Sequence, residues 1–170
     1  MHWYTLYTAP RAEKKLYAQL KKLSIEAYLP LIKQRNKWSD RYKWVEEPAF
    51  PSYIFVRLDG GNKEDFLKIL RLPHARRFII LEGQVSIIPD ADIELLRLSI
   101  DQYATSLKIG GLDDILVGEK VLITEGVFLG REAIVDAKEG KATVSVVFPT
   151  INQSLRVSIP FSYVSRQKVQ

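Results

Sequence analysis

EPAFPSYIFVRL, residues 47–58, decides the fold of the first part of this 170-residue chain. Two prolines bracket the approach to a run of aromatic and β-branched residues, which is typical of a strand. Successive side chains of a strand point to opposite faces, so Tyr53 and Phe55 share one face. Ile54 and Val56 share the other. The segment therefore predicts a strand with an aromatic face and an aliphatic face.

The segments around this strand alternate between strands and helices. Residues 2–8 (HWYTLYT) predict a strand, and the apolar spacing of residues 12–23 predicts a helix. Asn62 is placed to cap a second helix after the paired glycines. Continued to residue 104, the order is strand, helix, strand, excursion, strand, helix, strand, helix. This order predicts an α+β fold, an N-terminal α/β sandwich with helices on one face of an antiparallel sheet.

The pattern changes after residue 116. Five short β-branched segments, separated by turn signals such as Gly126 and Gly130, predict a small five-stranded β-barrel. Before them the helical periodicity fades in a stretch that holds two adjacent glycines. The sequence thus predicts an N-terminal domain at 1–104, a linker at 105–116 and a C-terminal β-barrel domain at 117–170.

Composition excludes several classes of site. The chain has no cysteine, which excludes disulfide scaffolds, zinc fingers and thiol nucleophiles, and its two histidines, His2 and His74, are far apart. It has neither a phosphate-binding glycine loop nor a nucleophile elbow, so we expect no enzyme, no metal and no cofactor. It also lacks the pattern of a secretory signal and a run long enough to span a bilayer. We expect a cytoplasmic protein without membrane contact.

Positive charge is concentrated near the start of the chain. Residues 1–57 hold 11 basic and 5 acidic residues, while the net charge of the whole chain is +5. Basic side chains attract polyanions through counterion release, although a solvated face explains the same surplus equally well. The basic residues lie on the first helix (Lys14, Lys15, Lys22), in the excursion (Lys33, Arg35, Lys37, Arg41, Lys43) and in a later cluster (Arg71, His74, Arg76, Arg77).

Three rings, Trp38, Tyr42 and Trp44, lie among the charges of the excursion. Interleaved rings and cations suit stacking on unpaired bases. The alternative is a solvated loop whose rings fold against the sheet.

Two strands hold more aromatic residues than the core of so small a domain requires. One interpretation is that all of them are core residues. The other is an exposed apolar surface that docks a partner, because aromatic and proline side chains supply contact area at low entropic cost. The rings are Trp3, Tyr4, Tyr7, Phe50, Tyr53 and Phe55.

Two motifs together resemble the NusG family of transcription elongation factors. WY-x3-T-x-P-x-x-E-x-K at residues 3–15, followed by EPAFPSYIFVRL, is similar to the N-terminal domain of that family. GEKVLITEGVFLGREAIV at residues 118–135, followed by LRVSIPFSYVSR, is similar to its KOW domain. The phrases EPAFPSYIFV and KVLITEGVF most resemble the operon-specialised branch, which holds the RfaH-like antiterminators and the UpxY-like regulators of capsular polysaccharide operons.

The resemblance implies a factor that acts on RNA polymerase without chemistry of its own. An apolar patch on the sheet would bind the polymerase clamp and suppress pausing or termination. The KOW domain would recruit Rho or the ribosome around Phe128, and we expect a monomer. The implied polymerase contacts are Tyr4, Phe50, Pro51, Tyr53 and Phe55, and the implied contacts to non-template DNA or nascent RNA are Lys15, Lys22, Arg71, His74 and Arg76.

The chain departs from the family pattern at three places. Ser52 stands where glycine usually follows Phe-Pro, and Gly126-Val127-Phe128 stands where Gly-Pro-Phe is usual. The segment after the central strand lacks the His-Thr-Thr element that RfaH uses against a second polymerase pillar. The β-branched residues of the second domain favour strands, so we expect a barrel instead of a helical hairpin.

Two other functions fit the same residues. A free RNA-binding protein would stack bases on the aromatic sheet face. A ribosome-associated KOW protein would rely on the second domain.

Overall fold

The computed structural model describes residues 1–37, 42–103, 108–111, 118–138, 141–151 and 153–166. The chain divides into two compact units, Met1–Glu94 and Leu95–Gln170, each with sheets of its own. Most of the predicted linker 105–116 lies outside the described residues, as do Trp38 and Arg41 of the excursion. The predicted boundaries, 1–104 and 117–170 around that linker, stay a prediction.

The first unit combines short helices with an antiparallel sheet, which confirms the expected mixture of elements. Its elements in chain order are β1 (His2–Thr8), α1 (Glu13–Lys22), β2 (Ala27–Tyr28), β3 (Leu31–Lys37), β4 (Tyr42–Pro48), β5 (Tyr53–Leu58), α2 (Lys63–Leu70), β6 (Ala75–Phe78), β7 (Ile80–Leu81), β8 (Gln84–Val85) and β9 (Ile87–Ile88). The helix α3 (Asp90–Tyr103) begins in this unit and crosses the division after Glu94.

The main sheet has the order β2-β5-β1-β6, and β9 also pairs with β1. Its centre is the antiparallel pair of β1 and β5, in which Tyr4 lies opposite Val56 and Tyr7 lies opposite Tyr53. The strand predicted from EPAFPSYIFVRL is therefore central, with paired strands on both sides.

Both α1 and α2 pack on one face of this sheet. Leu16 and Leu20 of α1 join Ile69 of α2 in one buried cluster with Ile54 and Val56 of the sheet. The aliphatic face predicted for β5 is thus the helix-covered face. The predicted cap of α2 is confirmed, because the Asn62 side chain accepts a hydrogen bond of 2.9 Å from the backbone N–H of Asp65.

The polar excursion forms a hairpin of β3 and β4, a two-stranded sheet separate from the main one. Its register pairs Leu31 with Pro48 and Lys37 with Tyr42. At the base, the backbone N–H of Ala49 donates to the carbonyl of Pro30 over 2.8 Å.

The residues of the second unit that the structure describes form six strands where five were predicted. They form one sheet with the order β10-β14-β13-β12-β11-β15, and its buried side includes Val144, Val146 and Val157. The predicted closed five-stranded barrel is not confirmed, because β10 and β15 are the outer strands of this order. The strands are β10 (Lys108–Gly111), β11 (Glu119–Ile123), β12 (Glu132–Lys138), β13 (Lys141–Phe148), β14 (Gln153–Ile159) and β15 (Val164–Arg166).

The additional strand comes from the segment predicted as a linker. Gly110 pairs with Ser154 and Gly111 pairs with Gln153. Two adjacent glycines predict a break in regular structure, but an outer strand tolerates them because it pairs on one side only. Within the described part of the chain, no helix has the length and apolarity needed to cross a bilayer.

Candidate functional site

Aromatic side chains cover the sheet face opposite the helices. Tyr7 meets Tyr53 edge to face at 5.6 Å between ring centroids, and Tyr28 stacks on Phe55 at 6.1 Å. Trp3 shares this face because β1 places alternate residues on the same side. We call these five residues, Trp3, Tyr7, Tyr28, Tyr53 and Phe55, the ring face.

Tyr4, predicted to contact polymerase, lies on the other face of the sheet. It is buried in the core under the helices, where its ring meets Phe66 at 5.1 Å and Phe78 at 6.4 Å. A Cβ atom at Gly61 would collide with the Tyr4 hydroxyl. The assignment is wrong because one step along a strand reverses the face. Burial also raises the pKa of the Tyr4 hydroxyl above its ordinary value.

The side chains of Phe50 and Phe55, which were also predicted as polymerase contacts, are buried. Their exposed fractions are 1% and 0%, and their rings meet edge to face at 6.2 Å. Both are therefore core residues: Phe55 is a buried member of the ring face, and Phe50 packs against it. Of the five predicted contacts, only Pro51, which is exposed, and Tyr53, which is half-buried, reach the surface.

The turn before β5 holds Pro51 outward. The buried Glu13 carboxylate accepts a hydrogen bond of 2.7 Å from the backbone N–H of Ser52. Ser52 has φ +66°, a left-handed conformation that favours glycine, and its carbonyl accepts from the N–H of Thr8 over 2.8 Å. Glu13 was not assigned a role from the sequence, although it is the acidic position of the WY-x3-T-x-P-x-x-E-x-K motif and the one acidic residue of an otherwise basic helix.

Basic residues gather where β1 ends. The Ala9 N–H donates to the carbonyl of His74 over 2.8 Å, and Thr8 pairs with Ala75, so the loops before α1 and before β6 are neighbours. Around them lie Arg11, Lys14, Lys15, Arg71, His74, Arg76 and Arg77, which we call the basic end. All are exposed except His74, which is half-buried.

The basic end unites four of the five predicted nucleic-acid contacts, Lys15, Arg71, His74 and Arg76. Lys22 is not among them, because it lies at the opposite end of α1, about 10 Å along the helix axis from Lys15. Sequence reasoning did not assign Arg11, which lies in the loop beside His74.

The ring face and the basic end adjoin each other. The Arg77 guanidinium lies 5.4 Å from the centroid of the Tyr7 ring, a cation–π contact. Tyr7 in turn contacts Tyr53. An apolar surface therefore borders a cationic one at this end of the sheet.

The corner of the second unit presents Leu129, not the predicted Phe128. The exposed fractions are 1% for Phe128 and 66% for Leu129. The Leu129 N–H donates to the Gly126 carbonyl, and the Arg131 N–H donates to the Phe128 carbonyl, so the corner consists of two consecutive tight turns. These turns direct the Phe128 ring into the core and leave the Leu129 side chain exposed. The prediction that Phe128 itself contacts a partner is corrected accordingly.

The described residues contain no group of three or more His, Asp or Glu side chains placed to hold a metal ion. A cavity of about 290 Å³ opens on the second unit beside Lys120, Arg131 and Ile134. Another, of about 460 Å³, lies between Lys14 of α1 and Pro51.

Comparison with known proteins places the chain. Residues 1–97 match the family model described as transcription termination factor nusG. A structure reported as domain interaction in Thermotoga maritima NusG superimposes with a TM-score of 0.59 at 19% identity, covering 98% of this chain and 97% of that one. The MjSpt4:Spt5 complex, conformation A, gives a TM-score of 0.32 at 16% identity and covers 99% of both chains.

The family match spans more than half of the chain and includes the whole ring face and the whole basic end. The Thermotoga structure shows the same fold at low identity. From its matched residues, this chain belongs to the NusG family of transcription factors.

Proposed function

We propose that the chain is a transcription elongation and antitermination factor that binds the clamp of RNA polymerase. The observation that carries the proposal is that Pro51 and Tyr53, the accessible residues beside an aromatic sheet face, adjoin the basic end. A polymerase surface that borders its nucleic acid presents the matching pair of contacts, one apolar and one anionic. Membership of the NusG family supports the same assignment.

The mechanism is differential binding. A factor that binds the closed, elongating polymerase more tightly than the open, paused one shifts the population by that difference. It makes and breaks no bond and needs no cofactor. The factor is a cytoplasmic monomer of the operon-specialised branch, and the basic end reads non-template DNA or nascent RNA at the polymerase surface.

The second unit is a KOW domain that recruits a further partner, Rho or the ribosome. Leu129, exposed at the corner, replaces Phe128 as the proposed contact residue. The buried core of an interface is more apolar than the rest of a protein surface, which suits an exposed leucine side chain.

The alternative of a free RNA-binding protein that stacks bases on the sheet is less well supported. That mode requires exposed rings on the sheet. Trp3 and Phe55 of the ring face are both buried.

The test is a capture of RNA polymerase from native lysate with wild type and Tyr53→Glu in parallel. A carboxylate at this half-buried position opposes apolar docking without disturbing the buried rings. Ile80→Glu, at an exposed apolar residue of β7, is the matched control. We expect polymerase with wild type and the control and none with Tyr53→Glu, at equal melting temperatures. Equal capture by all three proteins would contradict the docking surface.

A further inference from the structure

The hairpin of β3 and β4 presents two large rings to solvent. Tyr42 is 57% exposed and Trp44 is 59% exposed, whereas Trp3 of the main sheet is buried. Tyr42 and Trp44 are two residues apart in β4, so they share one face of the hairpin. Their Cα atoms are about 6.7 Å apart along the strand.

The surroundings of these rings are cationic. The backbone register places Arg35 opposite Trp44 and Lys37 opposite Tyr42. The strands β3 and β4 together hold four basic residues and two acidic ones, and the acidic pair Glu46 and Glu47 lies at the base of the hairpin. Lys33 and Lys43 are exposed. The outer part of the hairpin is therefore a positively charged strand pair that carries exposed rings.

One contact fixes this hairpin to the basic end. The Lys14 ammonium donates a hydrogen bond of 2.6 Å to the backbone carbonyl of Glu46, two residues after Trp44 in β4. Lys14 belongs to α1, whose first turns carry part of the basic end. This hydrogen bond makes the start of α1 and the base of the hairpin neighbours.

We propose that the hairpin is a base-stacking arm for single-stranded nucleic acid, with Trp44 and Tyr42 stacking on unpaired bases and Lys33, which shares their face of the hairpin, facing a phosphate. Single strands fit this surface because they offer both the ring faces and the charge that it complements. A duplex offers the charge alone, since its bases are already stacked. The arm is a site distinct from the polymerase contact at Pro51 and Tyr53, and it does not depend on that contact.

The test measures binding of the full chain to a fluorescently labelled single strand of twelve thymidines by anisotropy, over a range of salt concentrations. The variants are Trp44→Ala, Trp44→Phe, Lys33→Gln and, as an exposed apolar control, Ile80→Ala. A duplex of the same length is the control ligand. Because Trp44 is mostly exposed, its replacement leaves the fold intact, which thermal melting verifies.

We expect Trp44→Ala to weaken single-strand binding about tenfold, the effect of losing one stacked base, with an unchanged slope against salt. Lys33→Gln lowers that slope by about 0.7, because one phosphate contact is lost. Trp44→Phe and Ile80→Ala bind as wild type, and no ring variant alters duplex binding.

Several results would overturn the arm. The first is equal affinity of Trp44→Ala and wild type for the single strand. The second is an equal loss of affinity for the duplex in Trp44→Ala. The third is wild-type protein that does not bind the single strand even at low salt. Loss of polymerase capture by Trp44→Ala with unchanged oligonucleotide binding would mean that the hairpin contacts protein instead. Failure of the polymerase proposal can be told apart from failure of the arm. It would appear as equal capture of polymerase by Tyr53→Glu and wild type, and it would leave the oligonucleotide affinities unchanged.

Discussion

Glu13 and Ser52 are joined by a hydrogen bond of 2.7 Å between a buried carboxylate and a backbone N–H, across 39 residues of sequence. The bond connects the first turn of α1 to the turn that presents Pro51. Ser52 holds a left-handed backbone conformation there, with φ +66°. The link lets the start of the helix set the shape of the proposed docking edge.

Replacement of Glu13 by alanine removes the acceptor and leaves the buried Ser52 N–H without it. We expect a loss of about 1–3 kcal/mol in the free energy of unfolding, the cost of an unsatisfied buried donor. Ser52→Gly acts in the opposite direction, gaining about 0.5–1 kcal/mol, because glycine relieves the left-handed strain at some entropic cost. Urea denaturation of both variants measures these changes. A Ser52→Gly variant that is less stable than wild type would contradict backbone strain at Ser52.

Gly60 and Gly61 are adjacent glycines, and only Gly61 lies against Tyr4. Both have positive φ, but a Cβ at Gly60 meets nothing within 4 Å, whereas one at Gly61 collides with the Tyr4 hydroxyl. Gly61→Ala should therefore destabilise the protein by at least about 1 kcal/mol more than Gly60→Ala, the scale of overpacking costs. Tyr4→Phe should recover part of that difference in a double-mutant cycle. Equal effects of the two alanines would mean that Tyr4 does not fill this space.

The buried Tyr4 hydroxyl makes stability depend on alkaline pH. Burial raises its pKa above the ordinary value of 10.0, so the folded state favours the neutral phenol. The corresponding stability is fully present below pH 10 and is lost as pH rises from there through the folded pKa. We expect the free energy of unfolding to fall more steeply above pH 10 in wild type than in Tyr4→Phe. Parallel curves for the two proteins would rule out this burial effect.

At the corner of the second unit, Phe128 is a buried core residue, whereas the exposed Leu129 is the proposed partner contact. Phe128→Ala should cost about 3–5 kcal/mol, because it opens a cavity in a packed core. Leu129→Ala should change stability by less than about 0.5 kcal/mol, since its side chain is mostly exposed. Chemical denaturation measures both, and Rho or ribosome co-sedimentation measures the partner. Stable Phe128→Ala protein would show that the ring is not a core residue.

Local pattern predicted most of the elements of the first unit. The run Tyr53–Leu58 and the cap at Asn62 have signals within a few residues, and both agree with the structure. The two faces of β5 also follow from alternation alone. Strand pairing, however, is set by distant segments, which is why β10 was predicted as part of a linker.

The site was harder to predict because burial depends on the whole fold. Alternation separates Tyr4 from Trp3, but the sequence does not state which face the helices cover. Phe50 and Phe55 have the composition of a docking surface and still pack against each other. Basic residues were easier to assign, since lysine and arginine are exposed almost wherever they occur.

The central claim is that polymerase binds at Pro51, an exposed residue in the turn beside the ring face. The most direct measurement replaces this exposed residue with a photo-crosslinking amino acid, with Ile80 as the matched position elsewhere on the first unit, and irradiates the complex with purified polymerase. The account predicts a crosslink from position 51 to the polymerase clamp and none from position 80. Crosslinks from position 80 alone, or no crosslink from position 51 to polymerase that has bound the protein, would contradict it.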